Sequence, residues 1–113
     1  LTGFTSKVRA LILDRDGGCI VCGDTREIQI HHRAPRQMGG SKTAWVNQAP
    51  NGVSLCAEHH RWVESNRSDA ESRGLIVRRG VTLPALIPVL YRGVMSWLTP
   101  DGRVVDVKPD PIF

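Results

Sequence analysis

The sequence predicts a small α+β domain held together by a bound metal, and three observations predict it. Two half-sets of metal ligands, Cys19-x2-Cys22 and Cys56-x2-His59, flank a long intervening stretch. A helical pattern opens the chain, and short alternating or β-branched runs follow it. Aromatic residues make up only 5% of 113 residues, against 41% hydrophobic overall. The core is therefore small, and a structural metal would supplement it. The length fits one domain, 1–113.

Each element can be justified in turn. Thr5 to Asp14 reads as a helix. Thr5 or Ser6 can cap it, Val8, Leu11 and Ile12 form an i, i+3, i+4 stripe, and Lys7 and Arg9 fall off that stripe. Gly17-Gly18 ends it. Cys19-Ile20-Val21-Cys22-Gly23 is a knuckle that points two thiolates at one ion. Glu27 to His31 alternates polar and apolar residues and reads as a short strand that delivers His31-His32 at its end. Arg33 to Pro50 has little periodicity and carries loop signals at Pro35, Gly39-Gly40 and Pro50. A loop of that length is usually functional or disordered, and its basic residues favour a functional loop near phosphate.

Asn51-Gly52 is a turn, and Val53 to Cys56 a short buried segment. Ala57 to Ser65 or Asn66 is helical, with Trp62 expected to pack. Ser68 to Arg73 is a further helical turn, stopped by Gly74. Leu75 to Arg78 is strand-like, and Pro84 and Pro88 exclude a long helix after it. Val94 to Leu98 and Arg103 to Val107 flank a Pro-Asp-Gly turn and read as a β-hairpin, followed by an extended tail from Lys108.

The net charge is +4. Residues 1–67 hold nine Lys/Arg against six Asp/Glu, and residues 68–113 hold six against five. The basic excess thus sits with the cysteines and histidines and suits a polyanion, nucleic acid first. A merely soluble basic protein would carry the same charge. Three cysteines are an odd number, which argues against a disulfide scaffold. No stretch approaches the roughly 18 apolar residues of a spanning helix, and no signal peptide opens the chain. The expected setting is a reducing cytoplasm, where cysteines tend to bind metal.

Cys19, Cys22, Cys56 and His59 make a complete Cys3His set, and soft thiolates select zinc over magnesium or calcium. The alternatives are buried free cysteines, or a redox C-x-x-C that lacks its βαβ context and leaves Cys56 unexplained. Three histidines then remain. Closing both knuckles on one ion brings the end of the strand, with His31 and His32, towards the start of the helix, with His60. Asn51 enters from the same side. Imidazoles, a carboxamide and nearby arginines without thiolates can bind a divalent ion loosely and leave positions open for water and substrate.

Arg15-Asp16-x2-Cys19-x2-Cys22-Gly23, Ile30-His31-His32, Gly39-Gly40 and Asn51-x3-Leu55-Cys56-x2-His59-His60 together resemble the HNH endonuclease family, over about residues 9–66. The run His60-Arg61-Trp62-Val63-Glu64-Ser65 is similar to small HNH proteins of tailed phages. The resemblance implies a ββα-metal core over 5–67, with 68–113 a strand-rich extension. It implies that His31 and His60 hold a catalytic divalent ion, Mg²⁺, Mn²⁺ or another, beside the structural Zn²⁺. His32 would be the general base. Asn51 would orient the site or join the metal shell. Most zinc-containing members have a cysteine where this chain has His59, which blurs which of His59 and His60 serves which metal; the x2 spacing favours His59 on zinc. The setting would be the host cytoplasm if the chain is phage-encoded.

Such a site would hydrolyse phosphodiester bonds of DNA, with Arg33, Arg36, Lys42, Arg61 and Arg67 holding the backbone by charge and not by base readout. Two further readings are a non-catalytic zinc module that binds DNA, and a subunit of a phage packaging machine that docks through the C-terminal third. One geometric condition attaches to the first reading. Neighbours on a regular strand face opposite ways, so the strand must end or distort at His31 if His31 and His32 are to share one site.

Overall fold

The chain begins as its capping and stripe signals require. In the computed structural model, which describes residues 3–35, 44–78 and 83–109, α1 spans Ser6–Asp16. Thr5 is its N-cap and accepts from the Val8 amide at 3.2 Å. Gly17 closes it in a left-handed conformation, its N–H on the Leu13 carbonyl. Ile12 is fully buried, and Val8 and Leu11 are half-buried.

Two strands and a helix follow. β1 (Gln29–His32) and β2 (Gly52–Leu55) pair antiparallel, with His31 opposite Val53 and His32 opposite Gly52. Glu27 adopts φ 51°, outside the extended region, so the ladder starts later than the alternation suggests and runs one residue further, through His32. All of β2 is buried, and a single residue, the N-cap Cys56, separates it from α2 (Ala57–Ser65). A Cβ on Gly52 would lie 2.5 Å from Ile12 Cδ1 and 2.8 Å from Phe4 Cζ. Only glycine lets α1 and Phe4 close onto this face of the hairpin.

The stretch expected as an irregular loop holds two 3-10 turns in its described part, Ala44–Asn47 and Ala49–Asn51. α3 (Arg67–Ser72) follows α2. Leu75 to Arg78, expected as a strand, belongs to no sheet among the described residues. Its apolar run is buried, but the Leu75 amide donates to the Ala70 carbonyl and the Val77 amide to the Arg33 carbonyl. The segment is a strap across the end of β1.

The C-terminal part is a three-stranded antiparallel sheet of β3 (Val89–Tyr91), β4 (Val94–Leu98) and β5 (Val104–Val105), in that order. The expected hairpin is β4–β5, with Trp97 opposite Val105. The extra strand, β3, enters through Arg92-Gly93, at φ 46° and 87°. Both values are left-handed, as a type I′ hairpin turn requires. One apolar cluster runs through both halves: Cys19, Ile20, Val53, Leu55 and Val63 meet Ala70, Leu75, Val89 and Leu98. The C-terminal third is thus part of one small α+β domain. Among the described residues no helix is long and apolar enough to cross a membrane.

Candidate metal centre and histidine site

Cys19 and Cys22 lie between α1 and β1, Cys56 is the N-cap residue of α2, and His59 sits on that helix's first turn. Their ligand atoms all lie within 4.8 Å of one another. His59 Nδ1 is 3.2 Å from Cys56 Sγ and 3.7 Å from Cys19 Sγ, and Cys22 Sγ is 3.9 Å from Cys56 Sγ. A tetrahedral ion with metal–sulfur bonds of about 2.3 Å sets its ligands roughly 3.5–3.8 Å apart, so the four residues fit zinc with little rearrangement. His59, not His60, completes the set.

The Cys19 and Cys22 thiols are shifted in opposite directions. Burial pushes the Cys19 thiol up, but amides of Cys56, Cys22 and Val21 and the Cys22 thiol outweigh it, and its pKa is lowered. The Asp24 amide pulls the Cys22 thiol down, but burial and the Cys19 and Cys56 sulfurs outweigh that, and its pKa is raised. A divalent cation at their centre would relieve this competition by holding all three as thiolates.

The other three histidines divide between two faces. The ring of His60 meets that of His31 nearly edge-on, centroids 5.4 Å apart. His31 is 8% exposed, and its Nε2–H donates to the Leu75 carbonyl at 2.8 Å. Nδ1 is therefore its lone-pair nitrogen. Burial drives its pKa down to about 4, with His60 adding to the effect and the Leu75 hydrogen bond opposing it. At neutral pH the ring is uncharged, the form in which imidazole ligates a metal. His32 instead stacks on Phe4, at 4.1 Å and 13°, and its Nε2–H donates to Asn47 Oδ1 at 2.9 Å.

The strand neither ends nor distorts at His31, which corrects the sequence expectation. His32 pairs with Gly52 as the last rung of the ladder, so the two imidazoles alternate faces. His31 points towards His60, and His32 towards Phe4 and Asn47.

Asn51 is fully buried. Its Oδ1 accepts from the Ala34 amide at 2.8 Å, and its Nδ2 donates to the carbonyls of Ala34 and Val46 at 3.0 and 2.8 Å. Its carboxamide clips the exit of β1 to the first 3-10 turn.

Arg33 does not sit where a DNA contact would need it. It is 0% exposed, because its guanidinium fills a ring of backbone oxygens. Nε donates to Gly74 at 2.7 Å, Nη1 to Pro50 and Pro84 at 2.9 and 3.1 Å, and Nη2 to Ile87 and Pro88 at 2.8 and 3.5 Å. Burial, and secondarily the Arg15 charge, push its pKa down to about 9, so it stays charged at pH 7. Arg61 is exposed on α2 beside His60. Arg67 is exposed and paired with Glu64 at 3.1 Å. Arg36 and Lys42 lie outside the described residues.

A second buried charged group is the Arg15-Asp16 pair, which heads the stretch carrying the resemblance but to which sequence reasoning gave no structural role. Arg15 grips Asp16 with two bonds of 2.7 and 3.0 Å and donates to the Ala49 and Gly52 carbonyls. Asp16 accepts from the Ser54 amide and the Tyr91 hydroxyl, both at 2.9 Å. Burial, then the Asp16 charge, push the Tyr91 hydroxyl up to about 12. Nothing local in the sequence marks the pair as buried, since opposite charges on the last turn of a helix are ordinarily solvated. Trp62 packs as expected, half-buried against the core with Arg73 4.7 Å over its ring. An apolar groove of about 560 Å³, lined by Trp45, Leu83, Pro84 and Leu98 among others, includes none of the cysteines or histidines.

No protein-family profile, curated protein or solved structure matches the chain.

Proposed function

We propose that the protein is a metal-dependent DNA endonuclease or nickase of the HNH kind. One observation carries the reading: His31 and His60 meet ring to ring where α2 crosses the β1–β2 hairpin, with the Cys3His site one residue away at His59. Two imidazoles, one of them buried and neutral, can ligate a divalent ion; Mg²⁺ or Mn²⁺, which prefer oxygen donors, would take the rest of their shell from water and phosphate. Bound there, such an ion would act as a Lewis acid on the phosphate and its leaving oxygen.

The chain's own residues supply the rest. His32 takes the proton from the attacking water. Asn51 keeps the strand exit in place through its three backbone bonds. Arg61 is the exposed cation nearest His60 in sequence and holds phosphate, with Arg36 and Lys42 proposed for the same task.

The alternation of His31 and His32 also favours a second reading, a zinc module that binds DNA without cutting it. A plasmid-nicking assay with Mg²⁺ or Mn²⁺ separates the two. The endonuclease converts supercoiled plasmid to the open circle. His32→Ala slows this by about 10²–10⁴-fold while keeping its zinc and its fold, and His60→Ala weakens the response to the added ion. Supercoiled plasmid left intact by wild type with every divalent ion, and bound equally by His32→Ala, decides for the non-cutting module.

A further inference from the structure

We propose that Asn47 is a positioning residue of His32, and that it selects Nδ1 as the nitrogen that accepts the proton. The inference rests on the endonuclease reading and extends it to a residue to which the family resemblance gives no role. The Asn47 oxygen lies 2.9 Å from His32 Nε2. A carboxamide oxygen only accepts, so Nε2 must carry the hydrogen, and Nδ1 is then the lone-pair nitrogen of the neutral ring. Phe4 lies flat against the same ring at 4.1 Å. The hydrogen bond fixes rotation in the ring plane, and the stack fixes the plane itself.

The support reaches further back. Asn47 ends the 3-10 turn Ala44–Asn47. Val46, the residue before it, is fully buried, and its carbonyl accepts from Asn51 Nδ2 at 2.8 Å. Gln48 N–H closes the turn on the Trp45 carbonyl at 3.1 Å. The two asparagines therefore act in series: Asn51 holds the turn, the turn holds Asn47, and Asn47 holds the imidazole. A base needs this because a freely rotating neutral imidazole divides its proton between two nitrogens, and only one can face the water.

The test uses zinc-loaded protein labelled with ¹⁵N at histidine. Two-bond ¹⁵N–¹H spectra report the tautomer of His32, and plasmid nicking is followed on the same samples. Wild type should show His32 as the Nε2–H tautomer. Asn47→Leu has a similar volume and no acceptor; it should lose that preference, and kcat should fall roughly 10–100-fold, the usual cost of an outer partner, at unchanged KM. Asn47→Asp restores an acceptor and should restore the tautomer; Asn47→Ala replaces leucine if leucine is not tolerated. A wild type that nicks, with Asn47→Leu and Asn47→Ala matching it in tautomer and kcat, overturns the proposal alone. A tautomer that changes with no change in kcat also overturns it. A wild type that nicks nothing overturns the endonuclease reading and the proposal with it, whatever the spectra show.

Discussion

His31 and Leu75 lie 44 residues apart in sequence, yet the imidazole donates to the Leu75 carbonyl at 2.8 Å. The strap that follows α3 thus closes over the end of β1 and buries the ring. The unfolded imidazole binds its proton near 6.5, and the folded one only near 4. Between those values the unfolded state takes up more protons, so stability falls as the pH drops. The contribution is fully present above the unfolded value, and the loss reaches about 3 kcal/mol by pH 4. Urea denaturation of wild type and His31→Gln, with zinc and without added magnesium, isolates it. The two stabilities should converge as the pH falls from 6.5 to 4, and parallel profiles across that window would refute the assignment.

The Cys3His cluster predicts a fold that depends on its ion. Structural zinc contributes about 10–16 kcal/mol in small domains, comparable to or larger than the 5–15 kcal/mol total stability typical of a protein. Chelation should abolish the cooperative thermal transition and most of the far-UV CD signal, and zinc should restore both. Cys56→Ser should behave like the chelated protein. An unchanged Tm in a sample shown to be metal-free would exclude a structural role.

What could be read from the sequence, and what could not, follows from how local each signal is. The ligand spacing was legible because each half-set sits on one short turn, so sequence distance is nearly spatial distance. α1, α2 and the β4–β5 hairpin were legible from caps, stripes and a Pro-Asp-Gly turn. β3 was hidden because its turn uses Arg92 where Asn or Asp normally announces a left-handed residue. Leu75 to Val77 was misread because a buried strap and a buried strand share an apolar run. Arg33 was misread because its charge argues for solvent, and the oxygens that hold it, from Pro50, Gly74, Pro84 and Ile87, converge only in the folded chain.

Arg33 and Arg61 should therefore separate in experiment. Removing Arg33 orphans several buried carbonyls, each costing about 1–3 kcal/mol. Arg33→Met should lose at least about 3 kcal/mol of stability. Arg33→Lys should recover little of it, since an ammonium lacks the planar fork that spans those oxygens. Arg61→Ala, at an exposed position, should leave stability within about 0.5 kcal/mol and lower the slope of log K against log salt by about 1. If Arg33→Lys kept its Tm and lost salt-dependent DNA binding instead, the buried ring of carbonyls would be wrong.

Asn51 distinguishes orientation from metal ligation by the sign of one substitution. Aspartate has nearly the same shape but no N–H to give. Its second oxygen would face the Ala34 and Val46 carbonyls, which now accept from Nδ2, and a buried carboxylate against two carbonyl oxygens is worse than a gap. Asn51→Asp should thus be more destabilising than Asn51→Ala, which itself should lose about 2–4 kcal/mol for the backbone groups it orphans. A residue in the metal shell would respond the opposite way, because a carboxylate is a better ligand for Mg²⁺ than a carboxamide. Thermal melts with and without Mg²⁺ read both effects at once. An Asn51→Asp protein more stable than Asn51→Ala, and further stabilised by Mg²⁺, would move Asn51 from the backbone clip into the metal site.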